Sequence, residues 1–153
     1  MTITHVPTNP DWEAATRAGF ARQPLMQTMG LTILRIAPGE IDEDMPHNPA
    51  FAEGGGGLHG GAVTSGLDTV CASAAHTLVA AGDGILTVEL KTSFLRYAMG
   101  ERFRFEGRVV KPGRNLIFTE GKCWAITGGE EKLAATMTAT MMVMPGRRAG
   151  ENQ

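Results

Sequence analysis

Eight residues, Gly54-Gly-Gly-Gly-Leu-His59-Gly-Gly61, run straight into a stretch whose apolar residues recur at helical spacing, and a lone carboxylate, Asp68, lies two turns inside that stretch. Glycines at a helix start expose backbone N–H groups at the positive end of the helix dipole, where an anion or a developing oxyanion is stabilised. A carboxylate on the same helix is a candidate general base or nucleophile. The plain alternatives are a solvated helix residue at Asp68 and tight packing at Gly60 and Gly61. His59 is read either as a general base or as a group that caps or positions the loop.

The elements that must hold these groups follow from periodicity. Ala62 to Ala81 reads as the principal helix, with Val63, Leu67, Val70, Cys71, Ala74, Ala75, Leu78 and Val79 three or four residues apart. Gly82-Asp83-Gly84 is its expected stop. Upstream, Asp11 to Ala18 predicts a short helix broken at Gly19, Gly30 to Ala37 a strand, Pro38-Gly39-Glu40 a turn, and Ile41 to Met45 a second, polar strand. Pro46 to Leu58 reads as a loop.

After Gly84 the period becomes two. Ile85 to Tyr97 alternates, with Leu86, Val88, Leu90 and Phe94 on one face; Arg102 to Val110 sets Phe103, Phe105 and Val109 opposite Arg104, Glu106 and Arg108. Leu116 to Ile126 and Lys132 to Met144 complete the set. Lys111-Pro-Gly-Arg114 fits a type II turn, and Thr127-Gly-Gly-Glu130 is a further turn. Short connections imply antiparallel pairing. The predicted class is α+β: one long central helix against a five- or six-stranded antiparallel sheet.

With 153 residues the chain fits one domain with a real core, and 42% apolar and 20% charged residues are ordinary globular values. A net charge of -2 creates no field favouring nucleic acid or an anionic membrane. Cys71 and Cys123 lack metal-ligand spacing, His47 has no partners at such spacing, and no metal is expected. Residues 1–10 show no signal pattern and no apolar run approaches a membrane span, so a cytoplasmic protein is expected.

The order of these elements, with Leu58-His-Gly-Gly61, Asp68, Thr87-Val-Glu-Leu-Lys91, Phe94-Leu95, Gly107-Arg-Val-Val-Lys-Pro-Gly-Arg114 and Ala134-Ala-Thr-Met-Thr, resembles the hotdog-fold acyl-CoA thioesterases, in particular the PaaI-like (phenylacetate-type) branch. The resemblance covers about residues 25 to 145. It divides the chain into an N-terminal extension with a short helix (1–24), a hotdog domain (25–145) and a tail (146–153). It implies that the Gly60 N–H polarises a thioester carbonyl, that Asp68 attacks the carbonyl or activates water, and that Thr87 orients that water or Asp68. It further implies an acyl-CoA substrate, aryl or medium-chain, no cofactor beyond the CoA of the substrate, and CoA lying across a subunit interface. Arg96, Lys111 and Arg114 are candidates for its phosphates, with Gly61 beside the reacting group and Arg147 and Arg148 as further cations.

One position departs from the family. Asn or Gln usually stands six residues before the motif histidine; here it is Glu53, with Asn48 further upstream as a substitute. A carboxamide donates and accepts, whereas an ionised Glu only accepts, and a carboxylate beside Asp68 would raise the pKa of one of the pair. Glu53 also favours a rival reading, a non-catalytic acyl-CoA-binding module. An enoyl-thioester hydratase or dehydratase is the other rival, for which His59 and Asp68 lack the usual pattern. If Gly60 and Asp68 both act on one carbonyl, eight helical residues separate them by roughly 12 Å, too far for one Asp side chain. A second copy with an antiparallel helix must then complete the site, giving a homodimer or a dimer of dimers. Met137, Met141, Met142 and Met144 suit core packing or an adaptable acyl pocket.

Overall fold

The protein is described here by a computed structural model over residues 5–146. Helices α1 (Trp12–Ala21) and α2 (Pro24–Met29) precede strands β1 (Thr32–Ala37) and β2 (Glu40–Pro46), and a single 3-10 turn (Pro49–Phe51) leads into the long helix α3 (Gly60–His76). Strands β3 (Gly84–Phe94), β4 (Arg102–Lys111), β5 (Leu116–Thr127) and β6 (Glu130–Met144) follow. The sheet has six strands in the order β1-β2-β4-β5-β6-β3, every neighbouring pair antiparallel. This is the expected α+β architecture, and the crossing through α3 carries the chain from β2 to the far edge of the sheet.

The core lies between α3 and one sheet face. Val63, Leu67, Val70, Cys71, Ala74 and Ala75 meet Ile41, Met45, Phe103, Phe105, Ile117, Cys123, Met137 and Met141, all buried. Small residues set how deeply the helix seats. A Cβ on Gly107 of β4 would collide with the Val70 carbonyl, and one on Gly66 with the Phe105 ring.

The helix differs from expectation at its end. It stops at His76, not Ala81, because the Thr77 hydroxyl is recruited from outside the helix: it donates to the Ala74 carbonyl and accepts the Gly39 N–H, both at 2.7 Å. Thr8 Oγ1 then donates to the Leu78 carbonyl at 2.8 Å, and the chain turns through Gly82 (φ 84°).

Other expectations are corrected too. Gly19 does not break α1, which runs on to Ala21; the intrinsic cost of about 1 kcal/mol is overridden by docking against α3, where Thr16 meets His76 at 2.9 Å. Helix α2 lies just before the expected strand, where no element was read, with Pro24 in its first turn and Gly30 (φ 78°) as its left-handed cap, so the strand starts at Thr32 and not at Gly30. Gly113 has no positive φ, so Lys111–Arg114 is not a type II turn; its glycine is required because a Cβ would strike the Leu116 carbonyl. At the β5–β6 hairpin Gly128 (φ 57°) and Gly129 (φ 83°) both occupy the left-handed region, as a two-residue type I′ turn demands. Strand β2 is wholly polar on one face only, that of Glu40, Asp42 and Asp44; its pairing puts Glu43 beside Phe105, on the core side with Ile41 and Met45.

The largest correction is in β3. Thr87 pairs with Met141 and Glu89 with Thr140, so Val88 is an extra, bulged residue. A bulge inverts the alternation beyond it. Ile85 and Thr87 face the helix, and so do Leu90, Thr92 and Phe94, whereas Leu86 faces away. The single apolar face predicted for Leu86, Val88, Leu90 and Phe94 is therefore split. As an edge strand, β3 also leaves these residues exposed, Leu86 at 52% and Phe94 at 56%.

Candidate active site

Residues four apart on α3, namely Gly60, Thr64, Asp68 and Ala72, form one stripe. The helix-facing residues of β3 run along it in the opposite direction. Midway, Thr87 Oγ1 donates to Asp68 Oδ1 at 2.7 Å. The bulge makes this contact possible while keeping Phe94 on the same face as Thr87. Asp68 is half-buried, and its hydroxyl partner fixes one oxygen and leaves the other available.

The Gly60 end is built by the glycine loop. His59 is the N-cap of α3, and its Nδ1 accepts the Gly61 N–H at 2.9 Å. That assigns His59 the capping role and occupies the Gly61 donor. The Gly60 N–H, one of the unpaired donors every helix start leaves, has no partner among the described residues. The ring of Phe94 stands over Gly60, where an added Cβ would lie 3.3 Å from it. Glu53 closes the loop on itself: its N–H donates to the Gly57 carbonyl at 2.9 Å, and its carboxylate accepts the Gly55 N–H at 2.7 Å. A depression of about 290 Å³ joins Glu53, Gly60, Phe94, Arg96 and Tyr97.

The remaining candidates divide by position. Asn48 caps the 3-10 turn, its side-chain oxygen accepting the Ala50 N–H at 2.9 Å, so that oxygen is committed locally. Arg96 is exposed, and its Nε donates to the Leu133 carbonyl at 2.9 Å beside the Gly60 depression. Lys111 and Arg114 lie at the opposite end of the sheet, roughly 20 Å away along the strands. One protomer thus brings Asp68 to Thr87, and Glu53 and Arg96 to Gly60. It does not bring Lys111 and Arg114 to Arg96, nor Asp68 to Gly60. Arg147 and Arg148 lie outside the described residues.

Sequence reasoning missed Tyr97, whose hydroxyl accepts the Gly57 N–H at 3.1 Å and whose ring packs where side chains on Gly55 and Gly57 would stand. It missed Thr92, on the site face of β3, whose buried hydroxyl has no partner among the described residues. It also missed His76, which is half-buried and bonded to Thr16. An aromatic three residues past Phe94 was the available signal for Tyr97; the others depend on tertiary pairing.

Residues 55–132, a span containing His59, Gly60, Asp68 and Thr87, match the model of the thioesterase superfamily. Among solved structures, a thioesterase family protein from Silicibacter pomeroyi is 43% identical at a TM-score of 0.86, covering 87% of this chain and 98% of that one. A phenylacetic acid degradation-related protein from Ralstonia eutropha, named as a thioesterase, is 30% identical at a TM-score of 0.73, covering 86% and 98%. A Saccharolobus solfataricus protein named as an esterase is 30% identical over 96 residues, 63% of this chain and 68% of that one. No helix among the described residues is long and apolar enough to cross a membrane.

Proposed function

The chain belongs to the thioesterase superfamily, has the hotdog fold and is a thioester hydrolase; from that premise we propose that it cleaves an acyl-CoA, aryl or medium-chain, to a free acid and CoA at a site shared by two copies of the chain. The observation that carries this reading is the 2.7 Å bond from Thr87 to Asp68 beside an edge strand that has no second neighbour in the protomer. A long exposed strand with apolar side chains is a template for pairing with another chain.

Antiparallel pairing of two β3 strands about a two-fold axis at Lys91 sets Thr87 of one copy opposite Phe94 of the other, because the bulged Val88 takes no place in the count. Because Phe94 stands over Gly60, Asp68 of one copy then lies beside the Gly60 N–H of its partner. Glu53 and Arg96 of the partner come with it. The thioester oxygen accepts from the partner's Gly60 N–H, which stabilises the charge developing there. Asp68, held through one oxygen by Thr87, presents the other to the carbonyl carbon or to a water that attacks it. The C–S bond breaks as the tetrahedral intermediate collapses, and the CoA sulfur leaves as thiolate; where water attacks, its proton passes to Asp68 and the acid is released, and where Asp68 attacks, a water then hydrolyses the Asp68–acyl anhydride. CoA is part of the substrate and no separate cofactor takes part. Arg96 at one end, or Lys111 and Arg114 at the other, meets the CoA phosphates. The ring-bearing end of the substrate range is favoured by the likeness to the Ralstonia protein. Two buried free cysteines accord with a reducing, cytoplasmic setting.

The test is a mixing experiment. Asp68→Asn and Gly60→Val should each lose at least ~100-fold in turnover. Co-expressed in equal amounts, half the random dimers are mixed, and each mixed dimer keeps one site with both groups intact. About a quarter of wild-type turnover should therefore return. Mixed dimers that stay inactive would place both groups in one subunit and sink the shared site.

A further inference from the structure

Two threonines lie on the helix-facing side of β3, Thr87 and Thr92. The hydroxyl of Thr87 is spent on Asp68 at 2.7 Å. The hydroxyl of Thr92 is buried and has no hydrogen-bond partner among the described residues. Its neighbours are hydrocarbon: Leu90 and Phe94 flank it on the same face, and it pairs with the buried Met137 of β6. A valine would fill that place equally well. A hydroxyl kept there gives up its hydration and gains nothing, unless a molecule that enters the site bonds to it.

The pairing of two β3 strands about Lys91 gives that molecule a position. Thr92 of one copy then stands opposite Leu90 of the other and diagonal to that copy's Thr87. Diagonal positions lie about 7–8 Å apart, a gap that one water bridges. Thr92 also sits two residues before the Phe94 that stands over its own Gly60. Thr92 and Gly60 of one chain therefore approach the same Asp68 of the other. A water that attacks a carbonyl aims a lone pair at the carbon and has two hydrogens to place. The free oxygen of Asp68 accepts one, since Thr87 holds the other oxygen. A hydroxyl can accept the second.

We propose that Thr92 is a positioning residue supplied by the subunit that supplies Gly60, its hydroxyl oxygen accepting the second hydrogen of the water that Asp68 of the other subunit activates. The inference rests on the shared thioesterase site proposed above and selects, of its two routes, attack by water. The water oxygen bonds to the thioester carbon and one proton passes to Asp68. The second hydrogen stays with the new acid, and Thr92 keeps its own proton throughout. Collapse of the intermediate breaks the C–S bond and releases the thiolate.

The assay is steady-state thiol release by the full chain from phenylacetyl-CoA and octanoyl-CoA. Thr92→Val should lower kcat about tenfold on both, the worth of one hydrogen bond, with KM within about twofold. Thr92→Ser should retain most of the rate. The urea midpoint of Thr92→Val should be unchanged or higher, because no bond within the protein is removed. Mixing assigns the subunit. Co-expressed in equal amounts with Asp68→Asn, Thr92→Val should give about a quarter of wild-type turnover, because each mixed dimer keeps one site with all three groups intact. With Gly60→Val it should give only about a twentieth, because the one site that keeps Gly60 lacks Thr92.

A quarter returned with Gly60→Val in place of Asp68→Asn, or with neither, overturns the assignment of Thr92. So does a wild-type kcat in Thr92→Val, a serine variant as slow as the valine one, a lowered urea midpoint, or a loss confined to KM or to one acyl group. If Asp68→Asn and Gly60→Val complement each other, any of these results removes Thr92 alone and leaves the shared site standing. If those two fail to complement each other, the shared site and this inference fall together.

Discussion

Glu43 is a carboxylic acid with 0% exposure, flanked by Ile41 and Met45 on the core face of β2, and neither of its carboxyl oxygens has a hydrogen-bond partner among the described residues. Burial pushes its pKa up from 4.5 to about 8. An isolated buried carboxylate keeps its proton because the charged form loses its hydration. The unfolded chain, in contrast, releases that proton near pH 4.5. Between these values the unfolded state holds fewer protons than the folded state, so stability must fall as pH rises. Below about pH 4.5 and above about pH 8 the contribution is flat. The slope is about 1.4 kcal/mol per pH unit inside the window, on the order of 4–5 kcal/mol across it. Glu43→Gln keeps the shape and cannot ionise. Urea unfolding of both proteins at steps from pH 4.5 to 8.5 isolates the group, because Asp42 and Asp44 are turned to the other face, are paired with Arg108 and Arg102, and are the same in both proteins. The variant should match the wild type at pH 4.5 and become steadily more stable than it toward pH 8. A stability difference that stays constant across that range would show that Glu43 does not enter the core protonated, and the burial argument would fail.

Further tests address the site and its supports. Thr87→Val keeps the strand and removes the bond to Asp68; kcat should drop about 10- to 100-fold with KM little changed, and Thr87→Ser should retain most of the rate, measured by steady-state thiol release. Gly107→Ala pushes a methyl into the Val70 carbonyl and should cost about 2–3 kcal/mol in chemical unfolding; an unchanged midpoint would mean that α3 does not seat on β4 as described.

The local arrangement was legible because it is written in adjacent residues. His59, Gly60 and Gly61 are contiguous, and Asp68 follows at a fixed helical offset, so the donor, the cap and the acid could be read from spacing. The change of period after Gly84 likewise exposed the sheet, and the Gly128–Gly129 hairpin needed only its own turn chemistry. What was illegible depends on partners distant in the chain. The end of α3 is set by Gly39, 38 residues before Thr77. The continuity of α1 through Gly19 is secured by His76, 60 residues from Thr16. Glu43 looked like one more acid in a polar strand, and only its pairing with Phe105 shows which face it takes. Leu86 and Val88 read as core residues because alternation cannot reveal that a strand lies at an edge. Helix α2 did carry its own signals, a proline at the start and a glycine just past the end, but six residues are too few to show a helical period.

The extra residue in β3 makes the register of this strand part of the proposed site. Removing Val88 alone would restore an uninterrupted two-residue phase and leave Thr87 opposite Met141 and Glu89 opposite Thr140, so Thr87 would still meet Asp68. A slip that keeps Val88 and threads it into the ladder does the reverse: with Leu90 to Phe94 held in place, Leu86 and Val88 would swing inward and Thr87 would turn outward to solvent. Every side chain of the proposed site would still be encoded, yet the acid would face a hydrocarbon. On the proposed chemistry, a one-residue slip that changes no functional group would silence this enzyme as surely as loss of the acid itself.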